Sequence, residues 1–273
     1  MSVAPAAFDR IRSLVKERSA IVLDEGKEYL VEARLTPIAK ARGIGSLEQL
    51  ASMLDAAHAE LVDEVVQAMT TNETSFFRDV YPFEALREHV IPQLVSKRKS
   101  ARTLRIWCAA CSSGQEPYTI AMLLKENFAN LADWDVSILA TDLSHAMVER
   151  AKAGNYRQLE VNRGLGSQQL LRHFERNGLD WQIKPDIRRM VTFAPMNLVA
   201  PWPATPTFDI VFLRNVLIYF DVETKRRILG NLRGRMAGDG YLFLGGAETT
   251  MNIDISFERA PFERASCYRL TGS

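Results

Sequence analysis

Residues 104–124, LRIWCAACSSGQEPYTIAMLL, constrain the fold more than any other stretch of the chain. The run 104–109 is short, apolar and partly β-favouring, which suits a buried strand. A turn of small residues follows at 110–114, with Ser112, Ser113 and a single glycine, Gly114. Glu116 and Pro117 then fall where the first turn of a helix would lie. Proline is favoured there because its missing N–H would be unsatisfied anyway and its φ already suits the helix. Ile120, Ala121, Leu123 and Leu124 continue at helical spacing. The reading is strand, tight loop, helix, a unit that lets backbone approach a nucleotide-like ligand.

The glycine-rich dinucleotide fingerprint is absent, and no lysine follows Gly114 as in a P-loop. A loop without phosphate-binding features suits a cofactor without phosphates, such as S-adenosylmethionine. It is equally compatible with a plain βα turn. The next strand favours the cofactor. Residues 134–139 alternate and then run apolar, ending in Ala140, Thr141 and Asp142. Asp142 would lie at a strand's carboxyl end, where open α/β sheets bind ligands, and its carboxylate can accept from both ribose hydroxyls. Alternatively, Asp142 and Ser144 cap a helix over 144–152; both roles can hold at once.

Four blocks, WCAACSSGQEPYTIA, TDLS at 141–144, TTNETSFFR at 70–78 and RNVLIYF at 214–220, resemble the chemotaxis receptor glutamate O-methyltransferases, the CheR family, in content and order. The resemblance runs from the helical N-terminus to Arg269. It implies a class I S-adenosylmethionine-dependent methyltransferase fold: Rossmann-like α/β, with a mostly parallel seven-stranded sheet. It also implies a helical N-terminal domain with a linker helix at 1–95, a methyltransferase domain at 96–273, and an antiparallel β-subdomain inserted at about 155–190. The implied cofactor site comprises Asn72, Thr74, Arg78, Glu116, Asp142, Asn197, Leu198, Arg214 and Asn215. Arg78 and Tyr219 are the implied catalytic residues. The product would be S-adenosylhomocysteine, and the partners would be the cytoplasmic methylation helices of chemoreceptors. Gln115 departs from the glutamate that many members carry there.

The remaining chain agrees with this plan. Phe8, Ile11, Leu14 and Val15 share a helical face, and Pro37 is expected to kink or restart the next helix. Ser46 with Gln49 reads as a capping box. Arg34, Lys40 and Arg42 form a basic group that is either a solvated face or, by the resemblance, a surface for acidic methylation helices. Phe76 and Phe77 anchor the 70–78 turn, and 81–95 reads as a helix. Short strands are expected at 180–183 and 188–193, a helix at 168–174, a strand at 208–213, a helix over 222–236, a strand at 240–244 and a final hairpin from 257–259 and 265–270. The 176–179 turn is short, whereas family members that bind a receptor's C-terminal pentapeptide carry a longer glycine-rich loop. A tether-independent enzyme is therefore expected.

Composition narrows the alternatives. The net charge of +1 gives no general attraction to nucleic acid, and no apolar run approaches the ~20 residues of a membrane span. The odd count of three cysteines and the charged, amphipathic N-terminus point to a reducing, cytoplasmic setting. No metal is expected, because no ligands fall at zinc spacing. No Ser/His/Asp or Cys/His arrangement stands out, and His145 reads as a solvated first-turn residue. The absence of a base fits a carboxylate acceptor, which is already ionised at neutral pH. The competing readings are a methyltransferase of nucleic acids or small molecules, and a non-catalytic module that senses S-adenosylmethionine.

Overall fold

The computed structural model describes residues 3–272. They form two compact units: one up to Thr71 together with Tyr219–Thr224, the other Asn72–Ile218 together with the residues from Lys225 on.

The first unit is helical, with helices Pro5–Ser19, Glu28–Ala41, Leu47–Ser52 and Ala59–Ala68. Phe8, Ile11 and Val15 recur at helical spacing, as do Val31, Leu35 and Ala39, and both stripes are buried in one core with Leu50, Leu61 and Val65. Pro37 neither kinks nor restarts its helix, which runs through it to Ala41. Pro37 and Ala33 are both exposed, so water can serve the carbonyl that proline leaves without a donor. The capping box is displaced by one residue. Gln49 N–H donates to Ser46 Oγ at 3.1 Å, but Gln49 Oε1 accepts from Gly45 N–H at 3.0 Å. Two of the three expected basic residues are engaged within the unit. Arg34 donates to the carbonyls of Met69 and Thr70, closing helix Ala59–Ala68, and Arg42 pairs with Glu64.

The second unit holds ten strands: β1 Thr103–Ala109, β2 Asp135–Asp142, β3 Asn155–Tyr156, β4 Phe174–Asn177, β5 Asp180–Ile183, β6 Val191–Pro195, β7 Phe208–Leu213, β8 Met236–Leu244, β9 Phe257–Arg259 and β10 Cys267–Leu270. Seven form one sheet in the order β6-β2-β1-β7-β8-β10-β9. The first five in that order are parallel, and β10 pairs antiparallel with both β8 and β9. This is the expected class I methyltransferase sheet. The chain builds outward from β1 through β2 to β6, then returns to place β7 on the other side of β1. The reversal opens a crevice outside the carboxyl ends of β1 and β7, where such sheets bind ligands. Strands β3, β5 and β4 make the separate antiparallel sheet.

Several boundaries differ from expectation. The helix starting at Val222 ends at Arg233, not at 236, because Gly234 stops it and the ladder to Phe208 takes Met236. Residues 185–188 form a helical turn opened by Pro185, so the strand after it starts at Val191 and belongs to the main sheet. Strands β3 and β4 carry no alternation long enough to read from sequence. The 81–97 run is helical with a wide turn at Leu86–Val90, and it sends Phe83, Leu86, Val90, Ile91 and Leu94 into the core of the second unit.

At the amino end of β7, Arg98 donates to Asp209 at 2.9 and 3.0 Å and to Asp239, while Asp209 Oδ2 accepts the Arg105 N–H at 2.8 Å. Asp209 is almost fully buried, so Asp209→Ala would leave Arg98 Nε and the Arg105 N–H without an acceptor while Asp239 still holds the rest of the guanidinium. The expected loss is about 3 kcal/mol, read as a lower urea midpoint at unchanged slope. The hydrogen bond from Arg98 holds the Asp239 carboxyl down at about 2, below its ordinary 3.8. Its stabilisation is complete above pH 3.8 and disappears as pH falls towards 2, so Asp239→Asn should flatten the acid limb of the stability curve in that window.

Candidate active site

The loop after β1 is held in an unusual path. Ala110, Ser112 and Gly114 all have positive φ, at 62°, 50° and 92°. A side chain at Gly114 would also meet Ala151 Cβ at 2.9 Å, so the left-handed turn and the close helix packing both call for glycine there. Each side of the loop is tied. Cys111 N–H donates to Thr141 O (2.9 Å), Ser112 Oγ to Asn72 O (2.8 Å) and the Tyr156 hydroxyl to Ser113 O (2.7 Å).

Asp142 ends β2 beside this loop. Its Oδ2 accepts the Ser112 N–H at 2.7 Å and its Oδ1 the Ser144 N–H at 2.9 Å. The helix cap itself is Ser144, whose Oγ accepts from Met147 N–H. Burial pushes the Asp142 carboxyl up, and the backbone N–H groups oppose that. With the Leu143 N–H also directed at it, the carboxylate keeps acceptor capacity for about one further donor. At the end of β6, Asn197 Oδ1 accepts from Val199 N–H, and buried Leu198 accepts Trp202 Nε1–H through its carbonyl. Asn72, Thr74, Ser113 and Gln115 line a cavity of about 340 Å³ together with Arg150 and Arg163.

Arg214, the residue after β7, has a side chain only 2% exposed. Its Nη1 donates to Glu116 Oε2 at 2.7 Å; its Nη2 donates to Asp79 Oδ2 at 2.7 Å and to the Arg78 carbonyl at 2.9 Å. Its Nε is buried with no acceptor. Burial pushes the Glu116 carboxyl up, and the guanidinium beside it pulls it down. The segment Arg214 grips is strained: Phe77, Asp79 and Val80 lie at φ 49°, 68° and 48°. Left-handed backbone costs about 1–3 kcal/mol per non-glycine residue and persists where surroundings over-determine it. Arg78 sits inside this segment, half-buried, with Nη1 donating to Glu73 O at 2.8 Å. Phe76, just before it, is fully buried edge-to-face against Tyr156 and Phe174.

Asn215 also has positive φ, 57°, and its N–H goes to Glu248 Oε2 at 2.8 Å. Glu248 was not singled out from the sequence. The available signal was its place just after the glycine pair that follows β8, at the same sheet edge as the other strand-end residues. Tyr219 belongs to the first unit, where its carbonyl accepts the Val22 N–H at 2.9 Å. The second unit therefore gathers Asn72, Thr74, Arg78, Glu116, Asp142, Asn197, Leu198, Arg214 and Asn215. Cys108 and Cys111 are free thiols, buried and pushed well up by that burial, which leaves them poor nucleophiles. Among the described residues, no group of three or more His, Cys, Asp and Glu is placed to hold a metal ion.

These donors and acceptors fit S-adenosylmethionine. Asp142 retains acceptor capacity that a ribose hydroxyl would take, and Glu116 meets Arg214 through Oε2, which would leave Oε1 for an ammonium. The left-handed loop leaves close backbone approach, and the unsatisfied Arg214 Nε marks a buried donor with an acceptor still to find. Arg214 forks to three acceptors that a lysine cannot reach together. Arg214→Lys should therefore lower the unfolding free energy by about 2 kcal/mol. It should also speed amide exchange at residues 77–80, measurable by urea denaturation and hydrogen exchange.

Residues 72–265 match the family described as CheR methyltransferase, SAM binding domain, and residues 6–70 match CheR methyltransferase, all-alpha domain. The chain is 43% identical over 273 residues to Chemotaxis protein methyltransferase 1 of Pseudomonas aeruginosa, covering 98% of this chain and 99% of that protein. It is 43% identical over 253 residues to Chemotaxis protein methyltransferase Cher2 of Pseudomonas putida, covering 91% and 92%. It is 37% identical over 274 residues to the Chemotaxis protein methyltransferase of Vibrio parahaemolyticus, covering 99% and 98%. No helix among the described residues is long and apolar enough to cross a membrane. With a parallel sheet whose reversal point carries this set of donors and acceptors, and with both family domains matched in order, the chain belongs to the CheR family of S-adenosylmethionine-dependent methyltransferases.

Proposed function

We propose that this enzyme methylates glutamate side chains of chemoreceptors in the cytoplasm, forming glutamate methyl esters on their methylation helices. We further propose that it does so without a receptor C-terminal pentapeptide tether. The observation that carries the reading is Arg78. Its backbone lies in a strained segment, its carbonyl is clamped by Arg214, and its guanidinium, tied to Glu73 O, supports the reading as the cation that would meet an acceptor carboxylate.

A glutamate carboxylate has an ordinary pKa of about 4.3 and is nucleophilic at neutral pH without proton removal. What it needs is placement. Holding the carboxylate oxygen in line with the methyl carbon can supply up to roughly 7–11 kcal/mol of barrier reduction. Bound S-adenosylmethionine supplies an electrophilic methyl group on a sulfonium. In this reading Asp142 accepts from the ribose hydroxyls, Asn197 reads the edge of the adenine and Leu198 packs on its face. Asn72, Thr74, Glu116, Arg214 and Asn215 surround the amino-acid portion. Arg78 orients the acceptor carboxylate, because its planar fork matches that group bidentately. Tyr219 positions the donor and acceptor. Lys40, which has no ion-pair partner among the described residues, is the member of the basic group left to meet an acidic helix.

Tether independence is supported by the β4–β5 connection. Asn177 pairs with Asp180, so the hairpin turn is only Gly178 and Leu179, with Gly178 at φ 62°. This is the shortest hairpin connection in common use and carries no extended loop to fold over a peptide.

Incubation with methyl-labelled S-adenosylmethionine and chemoreceptor cytoplasmic fragments should leave alkali-volatile label on the receptor. Fragments lacking their C-terminal tails should be labelled at a similar rate. Cofactor binding without any transfer would instead support the sensing module, and a strong loss on tail removal would refute tether independence. Arg78→Ala and Tyr219→Phe should each lower turnover about tenfold or more, a cost of at least ~1.4 kcal/mol in the barrier. Wild-type turnover in both variants, with cofactor binding intact, would remove them from the catalytic machinery.

A further inference from the structure

We propose that Glu248 is a positioning residue of the methyl-transfer site, whose carboxylate fixes the loop after β7 and so holds Asn215 in its left-handed conformation. The proposal rests on the reading above only in taking Asn215 as part of the cofactor site.

The Glu248 carboxylate is buried, 6% exposed, and has no cationic partner among the described residues. Its charge is met by backbone alone. Oε2 accepts the N–H groups of Asn215 (2.8 Å) and Gly245 (2.6 Å); Oε1 accepts those of Val216 (2.9 Å) and Ile218 (3.3 Å). Three of these four donors come from one short loop, which cannot satisfy them through regular structure. A carboxylate acceptor for several converging N–H groups is stronger than a neutral one. It is also the only kind of group with enough lone pairs to serve all four. The loop begins at Asn215, φ 57°, directly after Arg214, and the chain runs from Ile218 straight into Tyr219.

The packing around the carboxylate is specific as well. A Cβ on Gly245 would lie 2.8 Å from Glu248 Oε2, 2.6 Å from Asn215 Nδ2 and 2.9 Å from Asn215 N. Gly245 does not have positive φ, so that position is glycine because the carboxylate and Asn215 occupy the space. The carboxylate, Asn215 and Gly245 form one interlocked contact at the carboxyl edge of β7 and β8.

Glu248→Gln replaces one acceptor oxygen by an NH₂ that faces N–H donors, stranding two of them. Gly245→Ala displaces the carboxylate while preserving its charge. Both variants are tested alongside wild type. In wild type, the amide protons of Asn215, Val216, Ile218 and Gly245 should resonate at low field and exchange slowly with solvent. In Glu248→Gln the resonances of the two stranded amides should move to ordinary positions, and in Gly245→Ala those of all four. The Kd for S-adenosylhomocysteine and that for S-adenosylmethionine should rise by the same factor, about tenfold, as expected for a charged hydrogen-bond acceptor acting through geometry.

Ordinary amide shifts in wild type would overturn the proposal without need of a variant, so a failure of either variant to fold leaves it testable. Moved resonances with both Kd values within twofold of wild type would also overturn it, as would a loss confined to the cationic S-adenosylmethionine, which would mean that Glu248 acts by charge alone. None of these measurements uses a receptor, so they stand or fall separately from the proposed acceptor.

Discussion

The buried guanidinium of Arg214 is the interaction on which the site's geometry depends. It joins three segments that are distant in sequence: the end of β7, the first turn of the helix after β1 through Glu116, and the strained segment around Arg78 and Asp79. An arginine suits this place because it stays charged when buried and presents its donors in a fixed plane. Two carboxylates and one carbonyl meet it, so the charge is compensated where it lies. The clamp adds to the local hydrogen bonds that hold the left-handed backbone at Phe77, Asp79 and Val80, among them Val80 N–H to Phe77 O and Phe77 N–H to Thr119 Oγ1.

The loops at the sheet edge are organised on a common rule, in which side-chain polar groups serve backbone that has left regular structure. Asp142 takes the Ser112 and Ser144 N–H groups, Tyr156 donates to Ser113 O, and Glu248 takes the donors after β7. A site built this way is shaped before any ligand arrives. That would matter for the proposed transfer to a carboxylate, which needs placement rather than proton removal.

The main sheet was legible from local pattern. Largely apolar runs at 104–109 and 208–213, each interrupted by one charged residue (Arg105 and Asp209), and the small-residue turn before Pro117 are strong signals, because parallel strands are buried on both faces and helix starts have distinct chemistry. The small sheet was only partly legible. β3 is two residues long and β4 is largely exposed, so neither has enough alternation to stand out. The end of the 222–233 helix is not legible in the sequence, because Met236 is apolar in either structure and only its pairing with Phe208 makes it a strand residue. Pro37 shows the converse: a breaker tolerated because its side of the helix faces solvent.

Local patterning and the four sequence blocks thus determined the family, the parallel sheet and the cluster of strand-end residues at one edge. These depend on hydrophobic periodicity and turn chemistry, which act over a few residues. Tertiary structure decided which polar groups are spent on the protein itself. Arg34, either a solvated or a partner-facing cation by sequence, closes a helix; Arg214 is a three-way clamp; and Glu248 takes four converging backbone donors. Such assignments cannot be local, because a hydrogen bond across a fold joins residues whose separation in sequence carries no periodic signal.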